Sequence, residues 1–182
     1  MNLAALIMLD VCWLLWIPPV VVRVRQQRGK SSVASAGASL WGLLLEGVAY
    51  FLAWFRTVRA GPEGCLIAAM ILAPFSTALF WMAVKHLGRQ WRIKAGLYAD
   101  HELVRSGPYR VVRHPIYASM LGMLVATGLI LTQWPLLLLA LAFFVAGTEI
   151  RIRAEDGLLA ARFGEAFRRY QTGVPAYIPF VR

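Results

Sequence analysis

Residues 113–151 read RHPIYASMLGMLVATGLILTQWPLLLLALAFFVAGTEIR. A basic, histidine-containing edge opens onto an apolar run that ends near Leu131. Thr132, Gln133 and Trp134 interrupt it, and a second run follows Pro135 to about Gly147, where charge returns. Continuous apolar runs of this kind are helices of a membrane protein, because a β-barrel shows short alternating segments. With three residues between them, the two runs predict a tight antiparallel hairpin whose far ends meet on one face.

Outward from this hairpin the same pattern recurs. Apolar runs cover about Leu3 to Val22, with Pro18-Pro19 predicted to kink or end the helix, about Leu40 to Phe55, and about Cys65 to Val84, with Pro74 inside. The second and fifth runs are short for a crossing of about 20 residues. In 182 residues, 59% are hydrophobic and the mean hydropathy is +0.61, far above soluble proteins. The expected fold is all-α: an integral membrane bundle of about five transmembrane helices with a cytoplasmic, amphipathic C-terminal helix. It is read as a single domain, residues 1–86 supplying the first spans and 87–182 the functional core.

Net charge is +10, which raises the question of nucleic acid. The distribution excludes it. Of the 19 lysines and arginines, all but Arg56 and Arg59 fall on one side of the predicted bilayer. The positive-inside rule then puts the amino terminus outside and the carboxyl terminus in the cytoplasm. Arg- and Ala-rich composition leans toward a prokaryotic inner membrane rather than the endoplasmic reticulum. The amino terminus carries Asp10 and lacks a basic leader, so it does not read as a cleaved signal. Cys12 and Cys65 form no CxxC and read as small buried side chains. His86, His101 and His114 have no metal-ligand spacing with them, so no metal is expected.

Two polar segments flank the hairpin. In SGPYRVVRHPIY, residues 106–117, Pro115 suits the first position of a helix, and His114 before it is pushed toward extended backbone. The tail from Glu149 reads as an amphipathic helix, with Leu158, Leu159, Phe163 and Phe167 at helical spacing. Arg151/Glu155 and Glu165/Arg169 stand at i,i+4 in it. On spacing alone the tail is a solvated helix lying on the bilayer with ordinary ion pairs. The functional alternative has Arg151, Glu155 and Asp156 facing the basic loop and holding a charged ligand. Ala118, Gly122 and Ala126 suit close helix packing. Glu46, costly within a bilayer when ionised, either lines a substrate cavity or is protonated or paired within the bundle. Asp10 is placed near an interface.

The stretch GPYRVVRHPIY, the hairpin, and AEDGLLAARFGEAFRRYQTGVPAYIPF together resemble the isoprenylcysteine carboxyl methyltransferase family, and more distantly phospholipid methyltransferases. The resemblance covers about Leu87 to Phe180. It implies S-adenosylmethionine bound between the last two spans and the tail, with Gly107, Tyr109, Arg113, His114, Pro115, Tyr117, Glu155 and Asp156 as cofactor-binding residues. Asp156 stands where the family has a second glutamate, and Ser119 where it has a glycine. It implies Arg151 and Glu155 as catalytic residues, and Arg151 or Arg153 for substrate; Glu46, outside the resemblance, joins the substrate-binding residues only on its cavity-lining reading. Arg151 would orient an acceptor carboxylate, with Arg153 as the alternative. The expected acceptor is hydrophobic or lipid-linked, an isoprenylcysteine-like carboxylate before a phospholipid amine or small thiol, and membrane lipid is the surrounding partner. Two other classes stay open: a non-catalytic membrane scaffold, and a reductase of the NADPH-using sterol type.

Overall fold

A computed structural model of the chain describes residues 3–26, 34–35, 37–55, 62–91, 96–97 and 101–178. Arg28, Lys30, Arg56, Arg59, Arg92, Lys94, Arg182 and the terminal Pro179-Phe180 lie outside the described residues. Among the described residues there are six α-helices: α1 (Leu3–Gln26), α2 (Ser39–Ala53), α3 (Glu63–Leu87), α4 (Pro115–Leu131), α5 (Trp134–Phe163) and α6 (Glu165–Gly173). One two-residue antiparallel bridge joins Ala34–Ser35 to Gly96–Leu97.

Helices α1, α3 and α5 are long and apolar enough to cross a membrane, and α2 and α4 are shorter apolar helices. Large apolar side chains stay outward, among them Leu3, Leu14, Trp41, Leu44, Ile71 and Phe75. That is the surface of an integral membrane bundle, where lipid replaces a buried partner. At 1.5 Å per residue, α2 and α4 reach about 22–26 Å. The short spans are thus the second and the fourth, not the second and the fifth.

Two expectations are corrected, the first in one of its two alternatives. Pro18 and Pro19 do not end the first helix, which runs on to Gln26. Proline withholds the N–H that would bond the carbonyl four residues back. For Pro19 that carbonyl is Leu15, and the Trp81 indole N–H from α3 donates to it instead at 2.8 Å. The fifth helix does not end near Gly147, since α5 continues for 30 residues to Phe163. It stops at Gly164, whose φ of 52° suits glycine and whose N–H bonds the Ala160 carbonyl. The amphipathic tail is therefore the far end of α5 plus the separate α6. The tight antiparallel hairpin is present, with Gly128 of α4 against Leu137 of α5 near the turn and His114 beside Asp156 at the far ends, although its arms have other principal neighbours. Helix α5 packs mainly on α2, and α4 mainly on α3.

Two closures define the ends of the bundle. The Arg23 guanidinium lies beside the Val84 carbonyl, joining the last turns of α1 and α3. At the opposite end the Thr132 hydroxyl, after α4, is 2.8 Å from the Phe55 carbonyl, after α2. The core divides accordingly. Trp16, Phe80, Met123 and Ile130 lie in one cluster from α1, α3 and α4, and Ala49, Leu124, Ala140 and Phe144 in another from α2, α4 and α5. Gly122 meets Ser76, where a Cβ would overlap the serine hydroxyl, so the Ala118–Gly122–Ala126 stripe is packing surface. Cys12 is buried and Cys65 partly so; both are free.

Candidate functional site

The polar site is assembled where the start of α4 meets the end of α5 and the tail. Residues 107–110 form a 3-10 turn in which Gly107 has φ of 59°. The positive φ favours glycine there, and a Cβ would also displace the exposed His86 imidazole. Behind the turn, the Arg113 N–H donates to the Pro175 carbonyl at 2.8 Å and the His114 N–H to Ala176 at 2.7 Å. The loop is thereby tied to the segment after α6. The Arg113 guanidinium also donates to the Gln171 and Val174 carbonyls, a cation set against the end of α6.

Glu155 and Asp156, adjacent on α5, both face His114, which is 7% exposed. Asp156 accepts from His114 Nε2 at 2.9 Å, from Arg113 Nη2 at 3.2 Å and from Gln171 Nε2 at 3.1 Å. Glu155 lies 3.5 Å from His114 Nδ1 and accepts from the Tyr117 hydroxyl. Burial pulls the His114 pKa down, but its hydrogen bonds and charge contacts with the two carboxylates outweigh that and raise it to about 9. At neutral pH it is an imidazolium clamped between two acids.

A pH dependence follows. A pKa raised above the ordinary 6.5 contributes stability that is full below that value and lost as pH climbs through about 9. The thermal midpoint should fall between pH 6.5 and 9.5, with a contribution on the order of 3 kcal/mol at stake. In a folded His114→Asn variant that slope should flatten; an unchanged slope would assign it elsewhere.

A cavity of about 360 Å³ opens beside this cluster. Its polar wall includes Tyr109, Arg113, His114, Tyr117, Arg151 and Glu155. Its apolar walls include Leu158, Leu159 and Phe167, and, deeper in the bundle, Trp16, Phe80 and Met120. Trp16 and Phe80 stack with ring centroids 4.1 Å apart, and the Trp16 indole donates to Thr77. Tyr109 is 6% exposed and its hydroxyl has no partner among the described residues. Burial lifts its pKa well above the usual phenol range, so the proton stays available for donation. The Tyr170 phenol, pushed up to about 12 chiefly by burial, donates to the Tyr109 carbonyl and fixes the turn.

Other expected residues fall elsewhere. Pro115 opens α4 and is buried, and Gly107 shapes the turn; neither lines the cavity. Asp156 is occupied by its three partners and stands behind the wall. Arg151 does line the cavity, its guanidinium 5.1 Å from the Tyr117 ring centroid. Its ion pair, however, is with Glu46 of α2 at 2.7 Å, not with Glu155. Glu165 likewise meets Arg168 rather than Arg169. Arg153 points away, 75% exposed beside Glu149. Glu46 is outside the cavity lining. Of its two sequence readings, the paired one matches its surroundings. Asp10 is exposed on α1. Tyr170, Gln171 and Thr148 were not singled out; the first two lie within the quoted tail motif, whereas Thr148 carries no local signal.

The profile of the isoprenylcysteine carboxyl methyltransferase (ICMT) family matches residues 67–161, more than half of the 182. The chain belongs to this family. Both carboxylates of the cluster and the loop that meets them lie within the matched stretch of this ICMT-family chain. It is similar to the cobalt-zinc-cadmium resistance protein CzcN of Cupriavidus metallidurans, 31% identical over 64% of this chain and 53% of that protein. It is also similar to a protein-S-isoprenylcysteine O-methyltransferase of Schizosaccharomyces pombe, 32% identical over 45% of this chain and 35% of that one. A protein-S-isoprenylcysteine O-methyltransferase B of Arabidopsis thaliana is 35% identical over 49% and 45%. The chain thus spans about a third to a half of the length of these relatives. Among the described residues no three His, Cys, Asp or Glu side chains come together as a metal site.

Proposed function

We propose that this ICMT-family protein is a methyltransferase that uses S-adenosylmethionine and methylates the carboxylate of a hydrophobic, isoprenylcysteine-like acceptor at the cytoplasmic face of a membrane. The observation that carries the reading is the cavity itself. It has one polar wall holding an unpartnered buried phenol and a carboxylate, with Gln90, His101 and Glu102 at further points of its lining and apolar side chains making up most of the rest. A volume of about 360 Å³ lies in the range of small-molecule pockets. The residues fit the cofactor. Tyr109 Oη is a donor in need of an acceptor, and Glu155 can accept from hydroxyl or amino groups. Leu158, Leu159 and Phe167 offer apolar contact. When bound, S-adenosylmethionine supplies an electrophilic methyl group on a cationic sulfur.

The chain's own groups favour a carboxylate acceptor. Amine or thiol nucleophiles give up a proton, so they call for a base. His114 is already protonated at neutral pH, Asp156 is saturated by its donors, and Glu155, held by Tyr117 and His114, is assigned to the cofactor rather than to an acceptor proton. A carboxylate is ionised near pH 7 and needs orientation and exclusion of water instead. Arg151, buried at the wall and braced on the Tyr117 ring, supplies the orientation. The basic ends of α1 and α3, together with the Arg105–Arg113 loop, support a cytoplasmic location for the site.

The test is calorimetric titration of the protein in lipid nanodiscs with S-adenosylmethionine, followed by labelled-methyl transfer to carboxylate, amine and thiol acceptors. Micromolar binding is expected. It should weaken by about fivefold in Tyr109→Phe, the loss of one hydrogen bond. A folded parent that binds NADPH but not S-adenosylmethionine would overturn the reading.

A further inference from the structure

The pairing of Glu46 with Arg151 is built by a close helix crossing. A Cβ on Gly147 of α5 would lie 2.6 Å from the Gly42 carbonyl and 3.1 Å from the Glu46 nitrogen, so the two backbones touch. A Cβ on Gly42 would in turn overlap the Arg151 stem. Glu46, one turn beyond Gly42, is thereby delivered to α5 with a side chain 2% exposed. Both its oxygens are used there: Oε2 accepts from Arg151 Nη1 at 2.7 Å, and Oε1 from the Thr148 hydroxyl at 3.1 Å. Two donors on one carboxylate suit its ionised form.

Arginine is a long, many-rotamer side chain, and here it is held on three sides, by Gly42, by Glu46 and by the Tyr117 ring. Only Arg151 and Tyr117 of this group line the cavity, together with Leu43; Glu46 and Thr148 stand behind them. An arginine bare of a counter-charge would hold an acceptor carboxylate as a full ion pair and make it a poorer nucleophile. With Glu46 behind it the pair is neutral overall, while its N–H donors remain directional.

We propose that Glu46 is a positioning residue for Arg151, fixing the guanidinium at the cavity wall and balancing its charge so that an acceptor carboxylate is oriented there without being immobilised. This rests on the reading of the cavity as a methyl-transfer site. Thr148 has the same duty at one remove, fixing the Glu46 carboxylate.

The experiment compares the full-length parent with Glu46→Gln in nanodiscs, using N-acetyl-S-farnesylcysteine and its methyl ester as charged and uncharged probes. Glu46→Gln should bind the carboxylate about five- to tenfold more tightly and the ester unchanged. At saturating carboxylate its methyl transfer should fall about tenfold, so that kcat and KM drop together. Thr148→Val should move both in the same direction by less, and it carries the test if Glu46→Gln does not fold. A change shared equally by acid and ester, or no change at all, overturns the proposal, as does a parent that binds neither probe. A parent that transfers no methyl but shows the carboxylate-selective change leaves Glu46 in place and removes the methyl-transfer reading instead.

Discussion

Asp156→Ala is expected to cost more stability than any other single change at the polar end of the bundle. The Asp156 side chain is 12% exposed and accepts from Arg113, His114 and Gln171. Removing it leaves two buried cations with less counter-charge than they need. Breaking a buried pair in this way costs about 3–5 kcal/mol. In a chain of this size, 3 kcal/mol corresponds to roughly 6–12 °C in thermal midpoint. Asp156→Asn, which keeps an acceptor for His114 while losing the charge, should fall between. A midpoint within a degree or two of the parent for the alanine variant would mean that the Arg113 contacts to the Gln171 and Val174 carbonyls hold the tail unaided.

Glu155→Ala should act on the ligand more than on the fold. Its side chain is 24% exposed, on the cavity side, and its two protein contacts, Tyr117 and His114, keep other support. Losing a charge-assisted acceptor from the site should weaken S-adenosylmethionine by about 10- to 100-fold. The midpoint of the unliganded protein should move less than in Asp156→Ala. Titration calorimetry and thermal unfolding on the same samples separate the two effects. Cofactor affinity equal to the parent's would place the ligand away from Glu155.

The neighbouring carboxylates have distinct surroundings, and the sequence distinguishes them only in part. His114 and Pro115 were legible because proline constrains the residue before it, and the structure has His114 outside the helix at φ −125°. The meeting of loop and tail was legible from the short connection at Thr132-Gln133. The continuation of α5 past Gly147 was not, because a drop in hydropathy marks where a membrane ends, not where a helix does. Residues 148–163 contain no proline, and the glycine that stops the helix is Gly164. The i,i+4 reading of Arg151 failed for a different reason. Glu155 was near in sequence, but Glu46, 105 positions away, is brought closer by Gly42 and Gly147. Local spacing proposes partners; only packing chooses among them. Indole rescue of the Leu15 carbonyl by Trp81 is likewise a contact between helices, with nothing in α1 to announce it.

Because α5 packs mainly on α2 while α4 packs mainly on α3, the molecule has two leaves, with the cavity along their seam. Arg151, Glu155, Leu158 and Leu159 belong to one leaf; Trp16, Phe80, Tyr117 and Met120 belong to the other. A molecule that touches Arg151 and Tyr117 together is therefore a clasp between leaves. Its binding energy is also cohesion of the bundle, so filling the cavity raises the free energy of unfolding in proportion to how tightly the ligand is held.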